Sequence, residues 1–270
     1  MLARAATGAA LASGAALYSY AQYREWLSLR ASSASAAAHL PTVESAQRTS
    51  VVRRRGVFSA SDIAAVHALQ ASHARRMGTA GRTEGNTSAA YRAGAWETSY
   101  LSTEGLFKER LPQLRDRLVA LAHEVDTSHE WQVLTCATAP VVPRCVELHA
   151  VERGGSLPYP EHYDSGSLVT IDVMLSDPSE FEGGEFSTLE ADGKMAHHSF
   201  EKGDALVFVS HKYHCVSPVT SGTRHVLVCE LWEGEERECA HRCERHTGHC
   251  GHSARASFWQ RALADMASDL

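Results

Sequence analysis

In the stretch HYDSGSLVT, residues 162–170, a histidine and an aspartate stand two positions apart just before a run that reads as a buried strand. In an extended segment residues i and i+2 project to the same side, about 6.5 Å apart at the backbone, so His162 and Asp164 can face one small ion. The pair alone carries little weight in a chain with 16 histidines. Further residues agree with it. The segment VFVSHKYHCVSPVTSGTR offers His214 at the start of another strand and then Arg224. Two histidines and one carboxylate can take one side of an octahedral Fe(II), leaving the other side for a chelating co-substrate and O2. Zinc would more often be closed by a fourth protein ligand. A co-substrate carboxylate far from the metal suits a guanidinium, which can give two parallel hydrogen bonds, and Arg224 has that chemistry.

Other residues compete for roles. His211 is the rival of His214 for the third metal position, and the strand-like HCVSPV that follows His214 favours the latter. An ordinary ion pair at a barrel rim is the alternative for Arg224. His197 and His198 fall in what reads as an exposed loop, while Asp172 and Glu185 read as outward-facing strand residues. The tail CAHRCERHTGHC holds Cys239, Cys243 and Cys250. A disulfide clasp is the favoured reading. A zinc site of these cysteines with His241, His246, His249 or His252 and free thiols are the alternatives, zinc being disfavoured because C-x3-C is wider than the C-x2-C of zinc ribbons.

The elements that must carry these groups divide in two. SDIAAVHALQASHARR, residues 61–76, has Ser61 or Asp62 as N-cap and Ile63, Val66 and Leu69 at helical spacing. Residues 77–90 have no periodicity and read as a loop, and AWETSYL reads as a strand. A second helix is expected from Leu106 to Val125, with Leu111, Leu114, Leu118 and Leu121 on one face and Pro112 near its start. After residue 144 the period becomes two. CVELHAV, SLVTIDVML, GEFSTL, DALVFVS, HCVSPVT and TRHVLVCELW are short β-rich runs, which indicates an antiparallel sandwich or barrel in an α+β domain with helices on one outer face. A two-residue turn at Ser221-Gly222 would set Cys229 opposite His214 and turn Arg224 away from it. An odd-length loop or bulge is therefore expected around 219–223.

Composition bounds the rest. A chain of 270 residues, 44% hydrophobic, fits one well-buried domain with appendages. The net charge of -6 gives no electrostatic reason to expect nucleic acid as a partner. Residues 1–40 have the composition of a targeting segment, with an uncharged run from Ala5 to Tyr23 that is a marginal spanning helix. A secretory signal or signal anchor is the first expectation, with membrane anchoring through residues 5–23 and an endoplasmic-reticulum location. An organelle transit peptide or a flexible arm is the alternative.

Taken together, H-x-D, a distal His, Arg224 in HCVSPVTSGTR, FEGGEF at 181–186 and KGDALVFVSHKYHCVSPVTSGTRHVLVCELW resemble the 2-oxoglutarate and Fe(II)-dependent dioxygenases, in particular their prolyl 4-hydroxylase-like branch. The resemblance covers about residues 145–232. It implies a double-stranded β-helix, a jelly-roll of cupin type, with N-terminal helices packed on one face. It also implies Fe(II) on His162, Asp164 and His214, with Arg224 holding the distal carboxylate of 2-oxoglutarate. O2 is the second co-substrate, ascorbate keeps the iron reduced, and succinate and CO2 leave. The expected organisation is a targeting segment (1–40), a helical support region (41–144), the dioxygenase domain (145–232), and a Cys/His-rich tail with a C-terminal helix (233–270).

The chain departs from this branch at Val151, where a tyrosine often contacts 2-oxoglutarate; His149 and Tyr159 are the nearest substitutes. The prolines of SLPYPE shape a different substrate lip. A peptidyl proline is the first substrate expectation, with another side chain or a small molecule as alternatives. A metal-binding barrel without turnover, acting as a structural or interaction protein, is the alternative function.

Overall fold

The computed structural model describes residues 40–77, 82–84, 95–248 and 250. The targeting segment and the expected C-terminal helix lie outside the described residues. Among the described residues no helix is long and apolar enough to cross a membrane.

The strands form two sheets. The larger is built on β4 (Val141–Glu152), β6 (Val169–Met174), β10 (Ala205–Val209) and β12 (Val219–Glu233), and is widened by β1 (Val52–Arg54), β2 (Arg82–Glu84) and β3 (Trp96–Tyr100), in the order β1-β10-β6-β12-β4-β3-β2. A short strand, β7 (Phe181–Gly183), also pairs with β12. The smaller sheet runs β5-β11-β8-β9, with β5 at Leu157–His162, β8 at Phe186–Leu189, β9 at Met195–His198 and β11 at His214–Val216. All pairings are antiparallel.

Both faces of the larger sheet are covered, and its residues alternate accordingly. Val169, Ile171 and Val173 of β6 belong to the core shared with the helices, whereas Met174 joins Leu157, Phe186, Phe208, Val216 and Val226 in a smaller core between the sheets. The helices are α1 (Val43–Gln47), α2 (Ala60–Met77), α3 (Leu106–Arg110) and α4 (Pro112–Ser128). Ile63, Val66 and Leu69 of α2, and Leu114, Leu118, Ala122 and Val125 of α4, are buried against the outer face of the larger sheet. This is the expected α+β jelly-roll arrangement.

Several local expectations are corrected. Ser59, not Ser61 or Asp62, caps α2: its Oγ accepts from the Asp62 N–H while the Asp62 carboxylate accepts from the Ser59 N–H, a reciprocal box. The single helix expected from Leu106 to Val125 is two helices, because Pro112 cannot continue a turn and instead opens α4. The loop expected at 77–90 contains β2, which pairs with β3. The prolines of LPYPEH lie in β5, an edge strand, where a missing N–H is tolerated.

Candidate active site

The two histidines are brought together by strand pairing. His162, last residue of β5, is the direct cross-strand partner of His214, first residue of β11, and their rings meet edge to face with centroids 4.9 Å apart. Asp164 lies just beyond β5, fixed by its N–H to the Ser210 carbonyl at 2.8 Å. Its carboxylate reaches both rings, 3.4 Å from His162 Nε2 and 3.9 Å from His214 Nε2. One ligand atom from each of the three falls within a single small cluster that can hold a metal ion.

Neighbouring groups orient the donors. His214 Nδ1 sits 3.0 Å from the Lys212 carbonyl, which can only accept, so the proton is on Nδ1 and the lone pair of Nε2 faces Asp164. The Thr170 hydroxyl donates to Asp164 Oδ2 at 2.8 Å, and holds that oxygen in place. Burial alone would raise the Asp164 carboxyl, but His214, the His162 hydrogen bond and Arg242 hold it well below the usual carboxylate range. Burial lowers the His214 imidazole, against the pull of Asp164. An ionised Asp164 beside a neutral His214 imidazole is the protonation state a divalent cation needs. His211 does not join this cluster; its ring packs on Tyr163.

Arg224 lies in the same cavity, about 370 Å³ in volume and lined also by Asp172, Phe186, Val226, Trp96 and Tyr100. It is 1% exposed, and its Nε and Nη2 have no hydrogen-bond partner. The barrel-rim ion pair is thereby set aside. Two buried donors aimed into a cavity suit a carboxylate, since leaving them unmade is costly. The glycine pair of FEGGEF makes room for them. Gly184 has φ +65°, and a Cβ there would come within 2.8 Å of Arg224 Cδ.

The hairpin considered around Ser221-Gly222 does not exist. β11 pairs with β5 and β8 in the smaller sheet, β12 with β4, β6 and β7, and the chain crosses between sheets at Ser217-Pro218. The register does shift in the β12 pairing with β7 between Val219 and Ser221, so the irregularity expected at 219–223 is present, while Arg224 owes its inward direction to the sheet crossing.

Asp172 is a correction too. It lines the cavity rather than facing outward, because β6 is covered on both faces. Burial pushes its carboxyl up to about 7, with Arg224 the largest opposing influence. Burial also lowers the Arg224 guanidinium to about 10. Glu185 is exposed as expected. His197 and His198 are on β9 rather than in a loop; His197 is exposed, whereas His198 is half-buried and bonds Thr188.

At Val151, the direct partner of Arg224 on β4, no hydroxyl is available. Tyr159 is 53% exposed and does not line the cavity. His149 does line it, but Nδ1 accepts from Trp96 at 2.8 Å and Nε2 faces Glu147 at 3.2 Å.

Part of the cavity wall comes from residues that sequence reasoning did not single out. Glu230 accepts from Arg242 Nε at 2.6 Å and from the Ser167 hydroxyl at 2.5 Å, with Arg144 3.6 Å away. Arg242 Nη2 lies 3.9 Å from Asp164 Oδ1. Arg242 belongs to the tail, where only its place between His241 and Cys243 could have drawn attention.

Solved structures match this architecture. A prolyl hydroxylase from Trichoplax adhaerens, solved with a hypoxia-inducible-factor peptide fragment, aligns with TM-score 0.51 and 14% identity over 78% of this chain and 93% of that one. A Pseudomonas putida prolyl-4-hydroxylase aligns with TM-score 0.50 and 15% identity over 72% and 98%. The chain has the 2-oxoglutarate/Fe(II) oxygenase fold. In sequence it is 33% identical over 103 residues to a PKHD-type hydroxylase of Delftia acidovorans, a match covering 33% of this chain and 43% of that protein. The chain thus spans less than half the length of that curated relative. No family model matches. The resemblance to prolyl 4-hydroxylase-like oxygenases therefore holds at the level of fold and of a partial sequence match.

Proposed function

We propose that this chain is an Fe(II)- and 2-oxoglutarate-dependent dioxygenase that hydroxylates a peptidyl proline, with release of succinate and CO2. The observation that carries the reading is one cavity with a His-Asp-His cluster at one end and, in the same space, a buried arginine whose donors lack partners. The donor set fits Fe(II), and the guanidinium fits the distal carboxylate of the keto acid. When bound, iron supplies the redox chemistry with 2-oxoglutarate and O2.

The protein's own part is positional. His162, Asp164 and His214 would hold the metal from one side, with Thr170 and the Lys212 carbonyl fixing two of the three ligands. Arg224 would orient 2-oxoglutarate. Leu157, Phe186, Val216, Val226 and Val228 line the cavity with apolar surface that limits water near the reacting carbon. No side chain is asked to act as acid or base.

The peptidyl-proline substrate is supported by the names of the two structural neighbours, and hydroxylation by that of the curated relative. Ascorbate as reductant rests on the family resemblance alone. Mass spectrometry of proline-containing peptides incubated with the Fe(II)-loaded protein, 2-oxoglutarate and ascorbate tests the reading. Addition of one oxygen on proline is expected. Succinate formed with no oxygen gained by any peptide would redirect the search to small molecules, and no succinate at all would leave a barrel without turnover.

A further inference from the structure

We propose that Cys239, His241, Cys243 and Cys250 bind a structural zinc ion, and that this ion seats Arg242 in the wall of the catalytic cavity. One donor atom from each of the four residues lies within 4.8 Å of the others. Tetrahedral zinc with Zn–S near 2.3 Å and Zn–N near 2.05 Å sets sulfur to nitrogen at about 3.6 Å and sulfur to sulfur at about 3.8 Å. Cys250 Sγ and His241 Nε2 stand 3.5 Å apart. No pair of these cysteines is bridged, so the disulfide clasp expected from the sequence is not what their arrangement forms. His246 is elsewhere, stacked on Trp232 with Nδ1 on the Glu233 carbonyl.

Three thiols and one imidazole make a soft, closed set of the structural zinc type, unlike the open His-Asp-His set of the cavity. The surroundings give the metal a job. Residues 239–250 contain no helix or strand among those described, and their apolar cluster consists of the three cysteines alone. With no larger apolar core at the thiols themselves, a metal would fix their mutual geometry.

Arg242 stands between two of the four ligands. While His241 and Cys243 face the cluster, Arg242 points to the cavity, bonded to Glu230 and with Nη2 lacking a hydrogen-bond partner. The buried Arg144 locks the same segment from beneath, donating from Nε to the Cys243 carbonyl at 2.6 Å. This zinc site stands or falls independently of the dioxygenase reading.

The test uses the full-length chain loaded with zinc or cobalt, as wild type, as Asp164→Ala, and as the Cys239→Ser/Cys243→Ser double variant. Zinc near one equivalent per chain is expected in Asp164→Ala, a further sulfur-free equivalent can join it at the His-Asp-His cluster of the wild type, and the double variant should lose the sulfur-bound equivalent. Cobalt-loaded wild type and Asp164→Ala should show thiolate-to-metal charge-transfer absorption, which a His2Asp site cannot give. If the double variant does not fold, X-ray absorption of the zinc-loaded Asp164→Ala protein decides: sulfur neighbours support the site, and nitrogen and oxygen neighbours alone overturn it. Zinc lost with Asp164→Ala but kept in the double variant, or two of the three cysteines found as a disulfide after metal loading, would also overturn it. The seating of Arg242 is read by hydrogen exchange. Chelation should expose amides from 236 to 248 and leave β6 and β10 protected; unchanged exchange there would refute it.

Discussion

The two metal-ligand clusters of this protein are built in opposite ways. His162, Asp164 and His214 come from points about fifty residues apart and are set by strand pairing inside a jelly roll covered on its outer face by helices. Cys239, His241, Cys243 and Cys250 come from one stretch of coil with little core of its own. The first arrangement exists because the sheets exist, so its ligands can be held in place with one side left open for chemistry. The second is local, and its geometry depends on the ion that closes it. Arg242 and Glu230 join the two.

Breaking that join should have the largest effect. Glu230→Ala strands the buried Arg144 and the half-buried Arg242, which costs about 3–5 kcal/mol when one partner of a buried pair is removed. At roughly 2–4 °C per kcal/mol for a chain of this size, calorimetry should show a fall in Tm of about 6–20 °C. An unchanged Tm would mean that the tail is not coupled to the barrel.

Within the pocket, single groups should fail singly, since the sheets hold the rest. Arg224→Gln removes charge-assisted hydrogen bonds worth about 1.5–3 kcal/mol, so the KM for 2-oxoglutarate should rise roughly 10- to 100-fold, with a smaller change in kcat. Thr170→Val frees an Asp164 oxygen. Fe(II) affinity should weaken by about tenfold, the low end for an outer-shell partner, in a binding titration that leaves the KM for 2-oxoglutarate unmoved.

The smallest effect is a pH dependence. Asp172, pushed up to about 7, is neutral below that pH and charged above it. Its negative charge in the Arg224 cavity should repel the dicarboxylate, so the KM for 2-oxoglutarate rises as pH climbs through about 7, and Asp172→Asn flattens the profile. The stability sign follows from the same shift. A raised carboxyl binds its proton more tightly folded than unfolded, so this group subtracts stability from about pH 4 up to about pH 7 and no further above it. Asp172→Asn removes that slope in urea titrations.

The convergence of His162, Asp164 and His214 was legible in the sequence because period-two strands fix which side a residue faces, and the motif sits at strand ends. Asp172 was misread for the same reason. Alternation gives the face, but not that helices cover the other one, so a carboxylate on the inner face looked solvent-facing. The irregularity expected at 219–223 is present, but the reason Arg224 faces inward was not legible, because β11 and β12, neighbours in sequence, belong to different sheets, a fact that only the global topology supplies. Pro112 signals a helix start, but the helix was read as already running from Leu106, so the break just before the proline was missed. The tail's cysteines were ambiguous because thiol spacing alone does not separate a disulfide from a metal, and only the fold brings the His241 imidazole to within 3.5 Å of Cys250.

The account turns on whether the His-Asp-His cavity consumes 2-oxoglutarate. Succinate formation by the Fe(II)-loaded protein should be clear in the wild type and absent in Asp164→Ala. Equal succinate from the two proteins would contradict it.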